Sequence, residues 1–204
     1  MNDFDSRARD WDKEMRHVER SQAIAAELLK TVPLNNTMKA LEFGAGTGLL
    51  SFILKENFAE ITLMDNSTEM VKVAQEKIST EKAYHMKAVC LDLEKDDYAG
   101  EFDIIYTQMV LHHVLNIESI FEKLYSLLKK GGCLAVADLY SEDGSFHNAD
   151  FKGHNGFDME NLSSIIKGKG FVNIKHKHCY NLKKNIASGE LKEFPIFLLV
   201  ASKR

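Results

Sequence analysis

Glu42-Phe43-Gly44-Ala45-Gly46-Thr47-Gly48 is the stretch on which the reading of this chain turns. Residues 38–43 before it are apolar and strand-like, and residues 49–55 after it read as a helix, so a strand, a tight turn and a helix follow in quick succession. Glycines let a backbone turn sharply and approach a ligand with no Cβ in the way. The helix beyond would offer free N–H groups to an anionic group, and a nucleotide-like ligand is the expectation.

Spacing narrows the choice of ligand. The dinucleotide fingerprint would put its third glycine at position 49, but Leu49 stands there, the third glycine is Gly48, and an acid, Glu42, lies two residues before Gly44. A carboxylate aimed into the glycine loop would repel a diphosphate and suits a ligand with positive charge, while a lone ligand carboxylate suits the helix terminus. S-adenosyl-L-methionine, with its sulfonium, ammonium and single carboxylate, has this pattern. Leu49 and Glu42 both count against the first alternative, an NAD-dependent oxidoreductase; a non-catalytic module that binds the same sulfonium compound is the second.

Working outward, the strand–helix beat repeats. Residues 61–64 form a short apolar strand ending at Asp65, and Asn66 with Glu69 resembles a capping box opening a helix with Met70, Val71, Ala74 and Ile78 inward. Strand patterns at 84–91, 102–106 and 133–137 follow, the first stopping at Asp92 and the last at Asp138. Ile117, Ile120, Phe121, Leu124, Leu127 and Leu128 give the cleanest helical spacing, which Gly131-Gly132 stops. A helix carrying Leu162, Ile165 and Ile166 ends at Gly168, two strands at 171–178 and 194–200 close the chain, and residues 21–30 form an amphipathic helix at its start. Such alternation predicts a parallel sheet covered on both faces, with ligands outside the carboxyl ends of the strands. Asp65, 21 residues past Gly44, can then accept from the hydroxyls of a ribose, and Asp92, with Leu93 beside it, from an adenine amino group.

With these residues in place the chain resembles the class I S-adenosylmethionine-dependent methyltransferases, of the small single-domain type that acts on small molecules. Residues 42–48 match the family's glycine motif, Asp65 its ribose acid, Asp92 its adenine contact, Phe102-Asp103-Ile104-Ile105 leading into Gln108-Met109 its fourth-strand motif, and residues 128–132 its entry to the fifth strand. The resemblance implies a Rossmann-like three-layer α/β sandwich with a seven-stranded, mostly parallel sheet in the order 3-2-1-4-5-7-6, the last strand antiparallel. It implies one domain over residues 1–204, of which residues 1–32, with Phe4, Ala8, Trp11, Asp12 and Arg20, form a helical lid; Trp11 reads equally as a core anchor. The cofactor is then S-adenosyl-L-methionine, left as S-adenosyl-L-homocysteine. Glu42, Gly44, Ala45, Gly46, Thr47 and Gly48 would contact it from the loop, Asp65, Asn66 and Met70 from beyond the second strand, and Asp92 and Leu93 from beyond the third. Gln108 or Met109 would offer a backbone carbonyl to its amino group.

A base is needed only where the acceptor must lose a proton, and histidine is the side chain matched to neutral pH. His112 and His113 follow the fourth strand; His113 is the candidate substrate-side base, with His154 as the other, while His85, His176 and His178 sit in strand patterns as structural side chains. Neither HExxH nor a cysteine pair is present, so no metal is expected. The acceptor is expected to be a small molecule. Thr107-Gln108-Met109-Val110 stands where enzymes acting on exocyclic base amines carry an Asn/Asp-Pro-Pro-aromatic motif, which argues against nucleic acid.

Composition agrees with a single globular domain: 204 residues, 45% hydrophobic, 27% charged, with only 2 prolines. The longest apolar run, 194–201, contains a proline and falls short of the ~20 residues that span a bilayer. Residues 1–14 are dense in charge with no apolar centre, so no secretory signal is read there and a cytoplasmic protein is expected. Three cysteines, none two residues apart, read as buried free thiols. The net charge of −4 divides into −10 over residues 1–150 and +6 over 151–204, the excess of a solvated sheet edge and loops.

Overall fold

The computed structural model describes residues 4–148 and 150–204; the first three residues of the amino-terminal region lie outside the described residues. Seven strands form one sheet: β1 (Lys39–Phe43), β2 (Glu60–Asp65), β3 (Met86–Cys90), β4 (Phe102–Gln108), β5 (Leu128–Leu139), β6 (Phe171–Asn185) and β7 (Leu191–Lys203). Their order is β3-β2-β1-β4-β5-β7-β6, with β7 antiparallel to both neighbours, as the resemblance implies. Helices α1 (Met15–Thr31), α2 (Leu49–Leu54), α3 (Thr68–Thr80), α4 (Ile117–Leu127) and α5 (Met159–Gly168) cover it.

The central strands are apolar on both faces because both faces are covered. Alternation along β1 sends Ala40 to a core with Ile24, Leu28, Leu50 and Leu54, from α1 and α2. Leu41 and Phe43 go to the opposite core, with Phe121 and Leu124 of α4 and Ile166 of α5. The chain leaves β1 toward β2 on one side and returns beside it as β4 on the other, which opens a crevice past the carboxyl ends of these strands.

Several boundaries differ from the sequence reading. Ser67, not Asn66, caps α3, its Oγ accepting the Met70 N–H at 3.2 Å. Helix α4 ends at Leu127, ahead of Gly131, and passes straight into β5. Strands β6 and β7 are longer than their apolar stretches: the β5–β7 ladder stops at Leu139–Ile196, whereas β6 and β7 stay paired out to Asn185–Leu191. Beyond the buried Leu182–Phe194 rung this overhang is mostly polar, with Lys183 and Glu193 paired across it at 3.3 Å, so hydrophobic alternation does not reveal it. The three cysteines are free, but Cys90 is exposed and Cys133 and Cys179 are only partly buried. No helix among the described residues is long and apolar enough to cross a membrane.

Ahead of α1 runs a 3₁₀ segment, Asp5–Lys13, laid across the crevice. Polar bonds pin it there: the Ser67 hydroxyl donates to Asp5 at 2.6 Å, the Thr47 hydroxyl to Asp12 at 2.5 Å, and Lys77 to Asp12 at 2.7 Å.

Candidate active site

A cavity of about 640 Å³ occupies the crevice. It is lined by Gly44, Ala45 and Gly46 after β1, Asp65, Asn66 and Met70 after β2, Asp92 and Leu93 after β3, and Gln108, Met109 and His113 after β4. Glu42, Thr47 and Gly48 are not on its wall. Phe4, Arg7 and Trp11 close it from the amino-terminal segment; Trp11 lies 4.0 Å from the His17 ring in a stack and is part of this wall.

The glycine loop does two jobs. A Cβ on Gly44 would stand 2.3 Å from Val110, and one on Gly48 2.3 Å from Leu63, so these two glycines let protein pack against the loop. Gly46, at φ +56°, would bring a Cβ no nearer to protein than 3.8 Å, to the Met70 sulfur. Its bare face is therefore cavity surface. Asp65 fixes the loop, its carboxylate accepting the Gly46 N–H at 2.7 Å and the Ser67 N–H at 2.8 Å. Burial raises the Asp65 pKa, and these N–H groups work against the rise.

Glu42 requires a correction. The sequence reading aims it into the loop, but strand alternation turns it under α2, fully buried, where one oxygen accepts the Ser51 N–H at 3.2 Å and the Ser51 hydroxyl at 2.5 Å. One N–H of the first turn of α2, that of Ser51, is thus answered by protein rather than left for a ligand carboxylate. The other Glu42 oxygen has no partner among the described residues, and burial pushes the pKa up to about 8 in spite of Ser51. A carboxyl with a raised folded pKa binds its proton more tightly folded than unfolded, so its contribution to stability falls as pH climbs from about 4.5 through 8. Urea unfolding at pH 5 and pH 9 should show the wild type losing on the order of a few kcal/mol more than Glu42→Gln, and equal losses would refute the buried acid.

Thr47 serves the roof through its bond to Asp12. Gln108 turns its side chain toward α1, accepting from the Ser21 hydroxyl at 3.1 Å. Met109 sits at φ +56°, held by its N–H on the Ala137 carbonyl at 2.8 Å. Such a conformation in a non-glycine residue costs of order 1–3 kcal/mol and concentrates at functional sites.

The histidines separate by their partners. His112 is 1% exposed, and its Nδ1 lies 2.6 Å from Asp138, which also accepts the Leu139 N–H at 2.7 Å. Burial alone would raise the Asp138 pKa, but the His112 ring and the backbone N–H groups bring it below the ordinary carboxylate value. Ionised Asp138 can only accept, so His112 carries its proton on Nδ1 and keeps the Nε2 lone pair free. His113 has no such support: burial, then the neighbouring His112 and His147, push its pKa down to about 3, and its ring meets Phe4 edge-on at 5.3 Å. His154 is tied to the Val114 carbonyl at 2.9 Å and is absent from the cavity wall. Sequence reasoning passed over the His112–Asp138 pair, although an acid at the end of the fifth strand, beside the fourth, was the available signal. Ring nitrogens of His112, His113 and His147 also come within 4.8 Å of one another, a donor set of the kind a borderline dication accepts. Lys184, close enough to lower the His147 pKa, opposes a cation there.

Comparison with known proteins follows the same lines. The family described as a methyltransferase domain matches residues 41–134, which run from the glycine loop to β5. Over those residues the chain matches a methyltransferase domain. An uncharacterised methyltransferase of Schizosaccharomyces pombe is 30% identical over 153 residues, 67% of this chain and 54% of that protein. A malonyl-[acyl-carrier protein] O-methyltransferase of Priestia megaterium is 27% identical over 184 residues, 82% of this chain and 65% of that protein. The chain thus spans less than two thirds of either relative. Among solved structures, phosphoethanolamine N-methyltransferase 2 of Haemonchus contortus, in complex with S-adenosyl-L-methionine, shares the fold with a TM-score of 0.70 at 19% identity, over 91% of this chain and 52% of that one. The matched segment supplies the glycine loop, Asp65, Asp92, Met109 and His112. Arg20 and Lys184 lie outside it.

Proposed function

We propose that the protein transfers a methyl group from S-adenosyl-L-methionine to a small-molecule acceptor that gives up a proton. The observation that carries the reading is one cavity lined both by Asp65, which is bonded to the glycine loop, and by His112, whose ring is held from behind by the buried Asp138. The residues fit this methyl donor. Gly46 presents bare backbone to the cavity, and Asp65 keeps carboxylate lone pairs beyond those used by Gly46 and Ser67. Asp65 would take the ribose hydroxyls, with Asn66 and Met70 beside it; Asp92 and Leu93 would take the adenine, and the Gln108 or Met109 carbonyl the amino group. Glu42, Thr47 and Gly48 would act from behind the loop.

When bound, S-adenosyl-L-methionine supplies an electrophilic methyl on a sulfonium, which needs no further activation. The chain's part is alignment, worth roughly 7–11 kcal/mol in favourable cases, and removal of the proton. His112 receives that proton on Nε2, and Asp138 stabilises the charge that results. The proteins this chain is compared with include an O- and an N-methyltransferase, both chemistries in which an acceptor can lose a proton. The lid expected over residues 1–32 narrows to the 3₁₀ segment Asp5–Lys13, which would exclude water, because α1 carries Ile24 and Leu28 into the core and belongs to the layer that covers the sheet. Three free cysteines support residence in a reducing cytoplasm.

Calorimetric titration with S-adenosylhomocysteine against NADH tests the reading, followed by transfer of labelled methyl to a metabolite panel. Binding of NADH alone would overturn it. Asp65→Ala should weaken S-adenosylhomocysteine binding by about 1.5–3 kcal/mol, as for hydrogen bonds to a charged group, and an unchanged dissociation constant would reject the ribose role.

A further inference from the structure

Charge is unevenly spread over the cavity wall. Asp65 and Asp92 follow β2 and β3, to one side of β1 in the sheet, while Lys184 comes from the β6–β7 overhang at the other end, and Arg16 and Arg20, one turn apart, from α1. Arg20 is the most telling. It is 6% exposed, it forms part of the wall, and its Nε has no hydrogen-bond partner. Among the described residues no carboxylate is bonded to its guanidinium. Asp138, whose charge acts on it, is committed to His112 and to the Leu139 N–H. Burial, and repulsion from Arg16, bring Arg20 down only to about 10, so it stays charged at neutral pH.

Lys184 is similarly placed. Its ammonium bonds the Phe146 carbonyl and stands 4.3 Å above the Phe146 ring; burial, Arg16 and Arg7 lower its pKa, and Glu142 opposes them. Glu142 gives one oxygen to the Phe146 N–H. Arg7 and Arg16 share a single carboxylate, Glu14. A buried cation without an anion is destabilising, and a ligand that brings the anion removes the penalty. The planar guanidinium fork matches a carboxylate or a phosphate.

We propose that this part of the cavity wall is a subsite for an anionic group of the acceptor, a carboxylate or a phosphate, held by Arg20 and Lys184. The assignment rests on the methyltransferase reading, which makes the molecule held there the acceptor. Phe146 joins the two functions, its ring 6.0 Å from that of His112 and directly under the Lys184 ammonium.

Trp11, the one tryptophan of the sequence, lines the cavity and reports its occupancy by fluorescence. Protein saturated with S-adenosylhomocysteine would be titrated with inorganic phosphate, with acetate and with neutral acetamide, at an ionic strength held constant with chloride. A saturable response to phosphate or to acetate is expected, and which of the two binds tighter identifies the group; acetamide should give none. Arg20→Gln and Lys184→Gln should each weaken the anion at least about tenfold while S-adenosylhomocysteine affinity stays within about twofold, since each removes one charge-assisted donor. The subsite is overturned if neither anion saturates, if acetamide responds as they do, or if both variants bind like the wild type. Circular dichroism checks folding, and should Arg20→Gln fail to fold, the less buried Lys184→Gln decides. A wild type that binds no S-adenosylhomocysteine overturns the methyltransferase reading instead, and the anion titration of the protein alone then judges the subsite.

Discussion

Gly46→Val should yield a folded protein that no longer binds S-adenosylhomocysteine. The two halves of this expectation come from different observations. Folding survives because a Cβ at Gly46 meets nothing closer than the Met70 sulfur at 3.8 Å, leaving mainly the strain of a positive φ at a branched residue, about 1–2 kcal/mol. Binding fails because the added methyls occupy the cavity against which the donor must lie. The neighbouring glycines provide the contrast. Gly44→Ala and Gly48→Ala push a Cβ to 2.3 Å from Val110 or Leu63, so their damage should appear in the melting temperature as well as in affinity. Calorimetry beside thermal unfolding separates the cases; a Gly46→Val protein that binds normally would remove the loop from the site.

His112→Ala should cut methyl transfer by roughly 10²–10⁴-fold, the usual worth of a positioned general base, with affinity for S-adenosylhomocysteine little changed. His113→Ala should do much less, because a ring whose pKa lies at about 3 has little hold on a proton. The difference stems from Asp138, fully buried and 2.6 Å from the His112 Nδ1, which orients the ring of that histidine by a hydrogen bond it does not offer to His113. Labelled-methyl turnover of the two variants on the same acceptor compares them directly. Equal losses, or a larger one for His113→Ala, would move the role to the second histidine.

Part of the crevice is legible in the sequence alone. Asp65, Asp92 and the glycines were readable because position along the chain fixes position in the crevice: an acid that ends a parallel strand must lie at its carboxyl edge. Glu42 was misread because it stands one residue short of the β1 end, where strand alternation and not proximity decides which way a carboxyl points. The His112–Asp138 pair was missed for a different reason. Its members are 26 residues apart and meet only because β4 and β5 are neighbours, which no local pattern records. Chain order suggested His113, and burial disfavours it. The basic carboxy-terminal third read as a solvated edge, and most of it is; Lys184 differs because the polar overhang of β6 and β7 carries it back over the cavity.

That overhang separates two tasks that share one chamber. Its outermost rungs pair only with each other, so residues there can be exchanged, added or trimmed without shifting the register of β5 or anything on the donor side. Selectivity toward new compounds can therefore drift at the hairpin while the transfer machinery stays fixed, and a protein engineer seeking a different acceptor would begin at Lys184.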